Sequence, residues 1–207
     1  MRFHKEFVSN RMIQFVIGIL LASGTASAVT YRGWSTLLAA AAGIILFVIF
    51  EYVTHRFLLH EFPQIAPRMH AGHVAHHQHP KELKYLFGPV HYDVMAYAAY
   101  FLVLLALCRQ FSLAAAAVFG TSAMQMYYQW IHYASHRPVK LWSPWSKWMK
   151  KKHLLHHHLD EQAWYGVSNP TMDYLLGTWK TATKSKRPKT EQGRRNPDPP
   201  APPAHYS

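Results

Sequence analysis

The chain has 207 residues, a formal charge of +12 and a composition that is half hydrophobic. One domain is the default for that length, and so apolar a basic chain is not a nucleic-acid-binding domain. Cys108 is the only cysteine, which excludes a disulfide framework and a cysteine-based zinc site and leaves it a packing role.

Met12 to Val29 forms the first apolar run. Residues 1–28 also have a basic start, an apolar middle and an Ala-Ser-Ala ending at Ala28, the pattern of a signal peptide. Cleavage and retention are both open, and neither changes the orientation argued below. The second run, Leu37 to Val53, is interrupted near its end by Glu51. A carboxylate inside a span is by default a functional group. Glu51 lies one turn before His55, where it either fixes that ring by accepting a hydrogen bond or snorkels to the interface. His55 and His60 are about 140° apart on an ideal helix, so both face one centre only if the helix unwinds, bulges or ends between them.

Pro63 and Pro67 break the chain, a helix begins near Arg68, and Pro80 ends it. It carries HAGHVAHHQH, in which His73, His76 and His77 form an HxxHH pattern. Positions i, i+3 and i+4 fall within an arc of roughly 100°, so the three imidazoles point one way. His70 shares that face, as an extra ligand or as a donor that holds one in place; His79 lies on the far side. The third run, about Val94 to Cys108, is short for a span, and Pro89 to Asp93 can extend it into the interface. The fourth, about Phe111 to Ile131, leads into His132 and His136, one turn apart on one face. Trp142, Trp145 and Trp148 with Lys147, Lys150, Lys151 and Lys152 read as an interfacial belt. His153, His156 and His157 repeat HxxHH, whereas His158 lies about 140° from His153. In WYGVSNPTMDYLLGTW, Gly166 and Pro170 mark a turn, and Asp173 is either an acceptor for a ligating histidine or a helix N-terminal charge. Residues 181–207 are basic, then Pro-rich, and are expected to form a disordered tail after a domain over 1–180.

Thirteen of the 16 histidines fall within windows 55–79 and 132–158. Neutral imidazole is the commonest protein metal ligand, and the ten histidines of the four boxes HX4H (His55, His60), HxxHH (His73, His76, His77), HX3H (His132, His136) and HxxHH (His153, His156, His157) exceed what one four-coordinate ion can use, so the pattern predicts two metal ions. If the runs at 12–29, 37–53, 94–108 and 111–131 all span, then 20 of the 22 Lys and Arg residues lie on one side, with Arg32 and Arg109 opposite. The positive-inside rule makes the histidine side cytoplasmic. The expected fold is all-α: an integral membrane protein of about four transmembrane helices under a cytoplasmic, histidine-rich helical cap.

The stretches EYVTHRFLLH, HAGHVAHHQHP, WIHYASH and KKHLLHHHLDEQAWYGVSNPTMDYLLGTW, in this order over residues 34–179, resemble the membrane fatty acid hydroxylase/sterol desaturase superfamily. The branch they resemble most is that of fatty acid and ceramide 2-hydroxylases. The resemblance implies a dimetal centre, taken to be iron, held by His55, His60, His73, His76, His77, His132, His136, His153, His156 and His157. An unactivated alkyl C–H bond offers nothing to acid–base catalysis, so the hard step belongs to a redox metal and dioxygen. Zinc has no redox chemistry and would be a substitute or an inactive form. Relatives in this branch often carry an N-terminal haem domain; with 11 residues before the first run, the expectation here is a separate electron-donor protein. The same boxes serve hydroxylation and desaturation, and the substrate stays open among fatty acids, acyl lipids, sterols and carotenoids. A metal transporter or sensor is the reading from another class, but the ligands cluster on one side and no chain of polar residues runs through the third span. The membrane is a bacterial inner membrane or the endoplasmic reticulum.

Overall fold

A computed structural model describes residues 2–181; the expected tail lies almost wholly outside them. The described residues are helical, without strands. A short α1, Arg2–Val8, precedes α2, Arg11–Val29, and α3, Trp34–Val53, which runs on as a π-helix over Thr54–Glu61. Then follow α4, Pro67–Gln78, α5, Leu83–Leu86, α6, Val90–Cys108, α7, Phe111–His136, α8, Pro144–His158, and α9, Thr171–Leu175. Local chemistry sets several of these limits. Asn10 caps α2, its Oδ1 accepting from the Met12 N–H at 2.9 Å. Pro67 and Pro144 stand in the first turns of α4 and α8, where a missing N–H costs nothing. α6 starts at Val90, because the polar His91–Asp93 turn joins the apolar run.

Among the described residues three stretches are long and apolar enough to cross a membrane: Arg11–Val29, Trp34–Glu61 and Leu83–Cys108. The fourth long helix, α7, is not among them. It is the middle of the bundle, with Ala114–Val118, Gly120, Ser122, Gln125 and Gln129 all buried against its neighbours. The other helices turn apolar side chains outward instead: Leu38, Ile45 and Phe50 on α3, and Leu102 and Leu107 on α6, are exposed. A helix enclosed by other helices can carry small and polar residues where a lipid-facing one cannot, which lowers its mean hydropathy.

The tightest contact in the bundle is the crossing of α3 and α7. A Cβ on Gly43 would lie 2.0 Å from the Ala117 carbonyl oxygen, and one on Gly120 would lie 1.9 Å from that of Ala40. The Thr121 hydroxyl donates to the Gly43 carbonyl across the crossing at 3.0 Å. Both clashes are with backbone, which cannot rotate away. Gly43→Ala or Gly120→Ala should therefore cost about 1–3 kcal/mol by overpacking. The thermal midpoint of the purified chain should fall by about 2–10 °C. Gly18→Ala on α2, where nothing lies within 4 Å, should leave it unchanged or slightly higher.

Candidate metal centre

Three helix ends and the π-helix converge at one end of the bundle. The five-residue spacing of His55 and His60 is resolved by the π-helix, whose wider turn returns i+5 close to the face of i. The Phe62 N–H donates to the Phe57 carbonyl at 2.7 Å, an i→i+5 bond, and the His55 and His60 rings lie 5.2 Å apart, centroid to centroid. Four residues beyond Leu59, Pro63 has no N–H to offer. The Leu59 carbonyl accepts from His70 Nδ1 at 2.7 Å instead. His70 thus secures the end of the π-helix beside His60 and belongs to neither histidine group described next.

The ten box histidines form two groups of five. His55, His60, His73, His77 and His156 make one, and His76, His132, His136, His153 and His157 the other; within each, one nitrogen per ring lies within 4.8 Å of all the others. The HxxHH triplets therefore do not act as units. α4 gives His73 and His77 to the first group and His76 to the second, while α8 gives His156 to the first and His153 and His157 to the second. The stacked rings of His77 and His157, 4.0 Å apart, join the groups. His79 and His158 are exposed and in neither.

The nitrogens suit a cation. Nε2 pairs meet at 2.9 Å (His60 and His73), 3.1 Å (His73 and His77), 3.0 Å (His76 and His132) and 2.9 Å (His136 and His153). Two donors about 2.0–2.1 Å from an ion are about 2.9 Å apart at a right angle and about 3.3 Å apart at a tetrahedral one. The observed spacing fits the right angles of a five-donor set. His55 Nδ1 donates to the Tyr165 carbonyl at 2.6 Å and His156 Nδ1 to the Ala163 carbonyl at 2.8 Å. Their Nε2 atoms then carry lone pairs, and both are buried without a hydrogen-bond partner. Burial, then the neighbouring imidazoles, pushes His73, His76 and His153 well below the ordinary histidine range, and His77 to about 3. At neutral pH these rings are uncharged, as ligation requires.

Two sequence expectations need correction. Glu51 does not hold the His55 ring. Its carboxylate accepts from the Val167 N–H at 2.6 Å, the Ser168 N–H at 2.9 Å and the Ser168 hydroxyl, because the turn after α8 folds back over the end of α3. Asp173 accepts from no histidine either; it stands in the first turn of α9, the other role its position allowed. It takes the N–H groups of Tyr165 and Gly166, both at 2.9 Å, and the Thr178 hydroxyl at 2.7 Å. Missing from the sequence reading were the partners that do touch rings. They are the carbonyls of Ala163, Tyr165 and Leu59, and the Glu161 carboxylate 3.2 Å from His77 Nδ1. Backbone carbonyls leave no trace in residue identity.

Two cavities flank the histidines. One of about 450 Å³ is lined by Phe47, Phe50, Leu58, Tyr92, Met95 and Tyr128 and reaches His55, His73, His76 and His132. Phe50 and Met95 are exposed on the outer surface, so this cavity opens sideways between α3 and α6. The other, of about 810 Å³, is more polar, lined in part by Arg56, His60, Glu61, His77, Glu161 and Gln162.

Comparison with known proteins places this geometry. A dihydroceramide fatty acyl 2-hydroxylase of Arabidopsis thaliana is 29% identical over 161 residues, 72% of this chain and 62% of the relative. A second one from that plant is 30% identical over 145 residues, covering 68% and 60%; the chain thus spans about three fifths of these relatives. The solved structure of full-length Scs7p, in which only the hydroxylase domain is visible, superposes with a TM-score of 0.69 at 25% identity, covering 82% of this chain and 65% of that one. The family model for fatty acid hydroxylases matches residues 40–178, from α3 through every box histidine to the turn after α9, and the chain belongs to the fatty acid hydroxylase family.

Proposed function

We propose that this protein is a membrane-bound, O2-dependent lipid hydroxylase that inserts oxygen at carbon 2 of a fatty acyl chain. The observation that carries this reading is the pair of five-histidine groups beside an apolar cavity open between α3 and α6. The ten histidines would hold two iron ions, one per group. When bound, the ions supply the redox chemistry with dioxygen that no side chain provides. The overall change is R–H + O2 + 2 e⁻ + 2 H⁺ → R–OH + H2O, with both electrons coming from a separate donor protein.

The chain's own part is to position and to exclude. Phe47, Phe50 and Leu58 give the acyl chain an apolar path and keep water from its C–H bonds. Arg56, Glu61 and Glu161 line the polar cavity on the other side, where protons enter and water leaves. Depth supports carbon 2. His55, His132 and His136 stand at the ends of their long helices, and the head-group end of an acyl chain lies there, whereas mid-chain carbons lie far into a hydrocarbon layer about 30 Å thick.

In this reading four helices cross the bilayer, α7 being the enclosed one, and the histidines form a cap on the cytoplasmic face of a bacterial inner membrane or the endoplasmic reticulum. Reporter fusions after Gly33 and His79 should read outside and inside; an external signal at His79 contradicts the topology. Lipids from cells with and without the gene should differ by one added oxygen on an acyl chain, lost under anaerobiosis; loss of two hydrogens instead would mean desaturation. His156→Ala should abolish the product, by at least about 100-fold, the upper end of what losing one outer partner of a ligand costs. His158→Ala should leave most of it. Equal loss from both would mean misfolding.

A further inference from the structure

Three observations meet in the turn between α8 and α9. Two of its carbonyls, those of Ala163 and Tyr165, take the Nδ1 protons of two rings in the same histidine group, His156 and His55. Between them Trp164 adopts a left-handed backbone at φ +55°, which is uncommon for a bulky side chain and persists only where surroundings enforce it. The enforcement is visible: the Trp164 N–H donates to the Thr178 carbonyl at 3.2 Å and its indole N–H to that of Lys180 at 3.0 Å. Finally, two buried carboxylates grip the following residues, Asp173 at Tyr165 and Gly166 and Glu51 at Val167 and Ser168. Buried carboxylates are costly unless they are fully hydrogen-bonded, and these accept four backbone N–H groups of one short stretch, together with the Ser168 and Thr178 hydroxyls.

We propose that Glu51 and Asp173 are positioning residues for the first histidine group. They hold the 163–168 turn so that its carbonyls keep the protons of His55 and His156 on Nδ1 and both Nε2 lone pairs toward one ion. A ring with its proton on Nε2 cannot ligate through that atom, so the turn selects the competent tautomer of two of the five donors. Asp173 acts from within the turn's own segment, while Glu51 ties the turn to α3, and so to the π-helix that carries His55 and His60. Among the described residues no hydrogen bond of this turn reaches the second group, while two reach the first, so the effect should fall on one ion. The proposal rests on the two-ion reading above.

The test is metal uptake by the full chain in detergent, stripped by chelator and titrated with Co²⁺ under visible absorption. Wild type should take two equivalents; uptake of one would fail the two-ion reading instead. Asp173→Asn, which turns an N–H toward the Gly166 N–H, and Glu51→Leu, which removes both acceptors, should leave one equivalent as in wild type. The other should weaken by about 10–100-fold. Glu51→Gln keeps an acceptor for both backbone N–H groups and should restore near-normal uptake. In a His136→Ala background, which disables the second group, Asp173→Asn should leave no tight equivalent. If the carboxylate variants do not fold, Ser168→Ala, which removes only the hydroxyl bonded to Glu51, should weaken the same equivalent by a smaller factor. Two unchanged equivalents, or parallel weakening of both with a lower thermal midpoint, would overturn the proposal.

Discussion

A neutral imidazole has one N–H and one lone pair, and ten of them with lone pairs converging in a buried space cannot satisfy one another. Their own contacts do not hold them there; the helices that carry them must be fixed by something else. The α3–α7 crossing is the principal fixture. Gly43 and Gly120 let the two backbones touch, and α7 then runs from that contact to His132 and His136 in one rigid piece about 18–24 Å long. α3 runs the other way into the π-helix. The positions of His55 and His132 relative to each other are thus decided well away from either.

The same crossing explains why the helix most enclosed by its neighbours is not among the stretches apolar enough to cross a membrane. α7 carries Ser112, Gly120, Thr121, Ser122, Gln125 and Gln129 where it meets α2, α3 and α6. Several of its polar groups are paired: Gln125 accepts from the Tyr97 hydroxyl at 2.7 Å and donates to Asp93 at 2.6 Å. α3 and α6 expose much of the bundle's apolar surface, and the cavity that reaches the histidines opens between those two helices.

Much of this could be read from residue spacing. The i, i+3, i+4 pattern on α4 and α8 and the i, i+4 pair on α7 are enough to say which rings share a face, and the five-residue gap from His55 to His60 required a departure from α-helix that the π-helix supplies. Spacing could not say that His76 and His156 leave their triplets for opposite groups, because that depends on where α4 and α8 stand across from each other. Glu51 and Asp173 stood out as carboxylates in unusual places, but their partners are backbone N–H groups more than 100 residues away in one case. Three carbonyls that hold histidines carry no side-chain signal at all. α7 read as a fourth run like the others, since its burial is set by its neighbours.

The reading as an O2-dependent hydroxylase stands or falls on two iron ions lying side by side, each within one five-histidine group. The most direct measurement is anomalous diffraction at the iron absorption edge from crystals of protein purified without oxygen. Two peaks a few ångströms apart are expected, one among His55, His60, His73, His77 and His156 and one among His76, His132, His136, His153 and His157. A single peak, or peaks outside these groups in active protein, would contradict that reading.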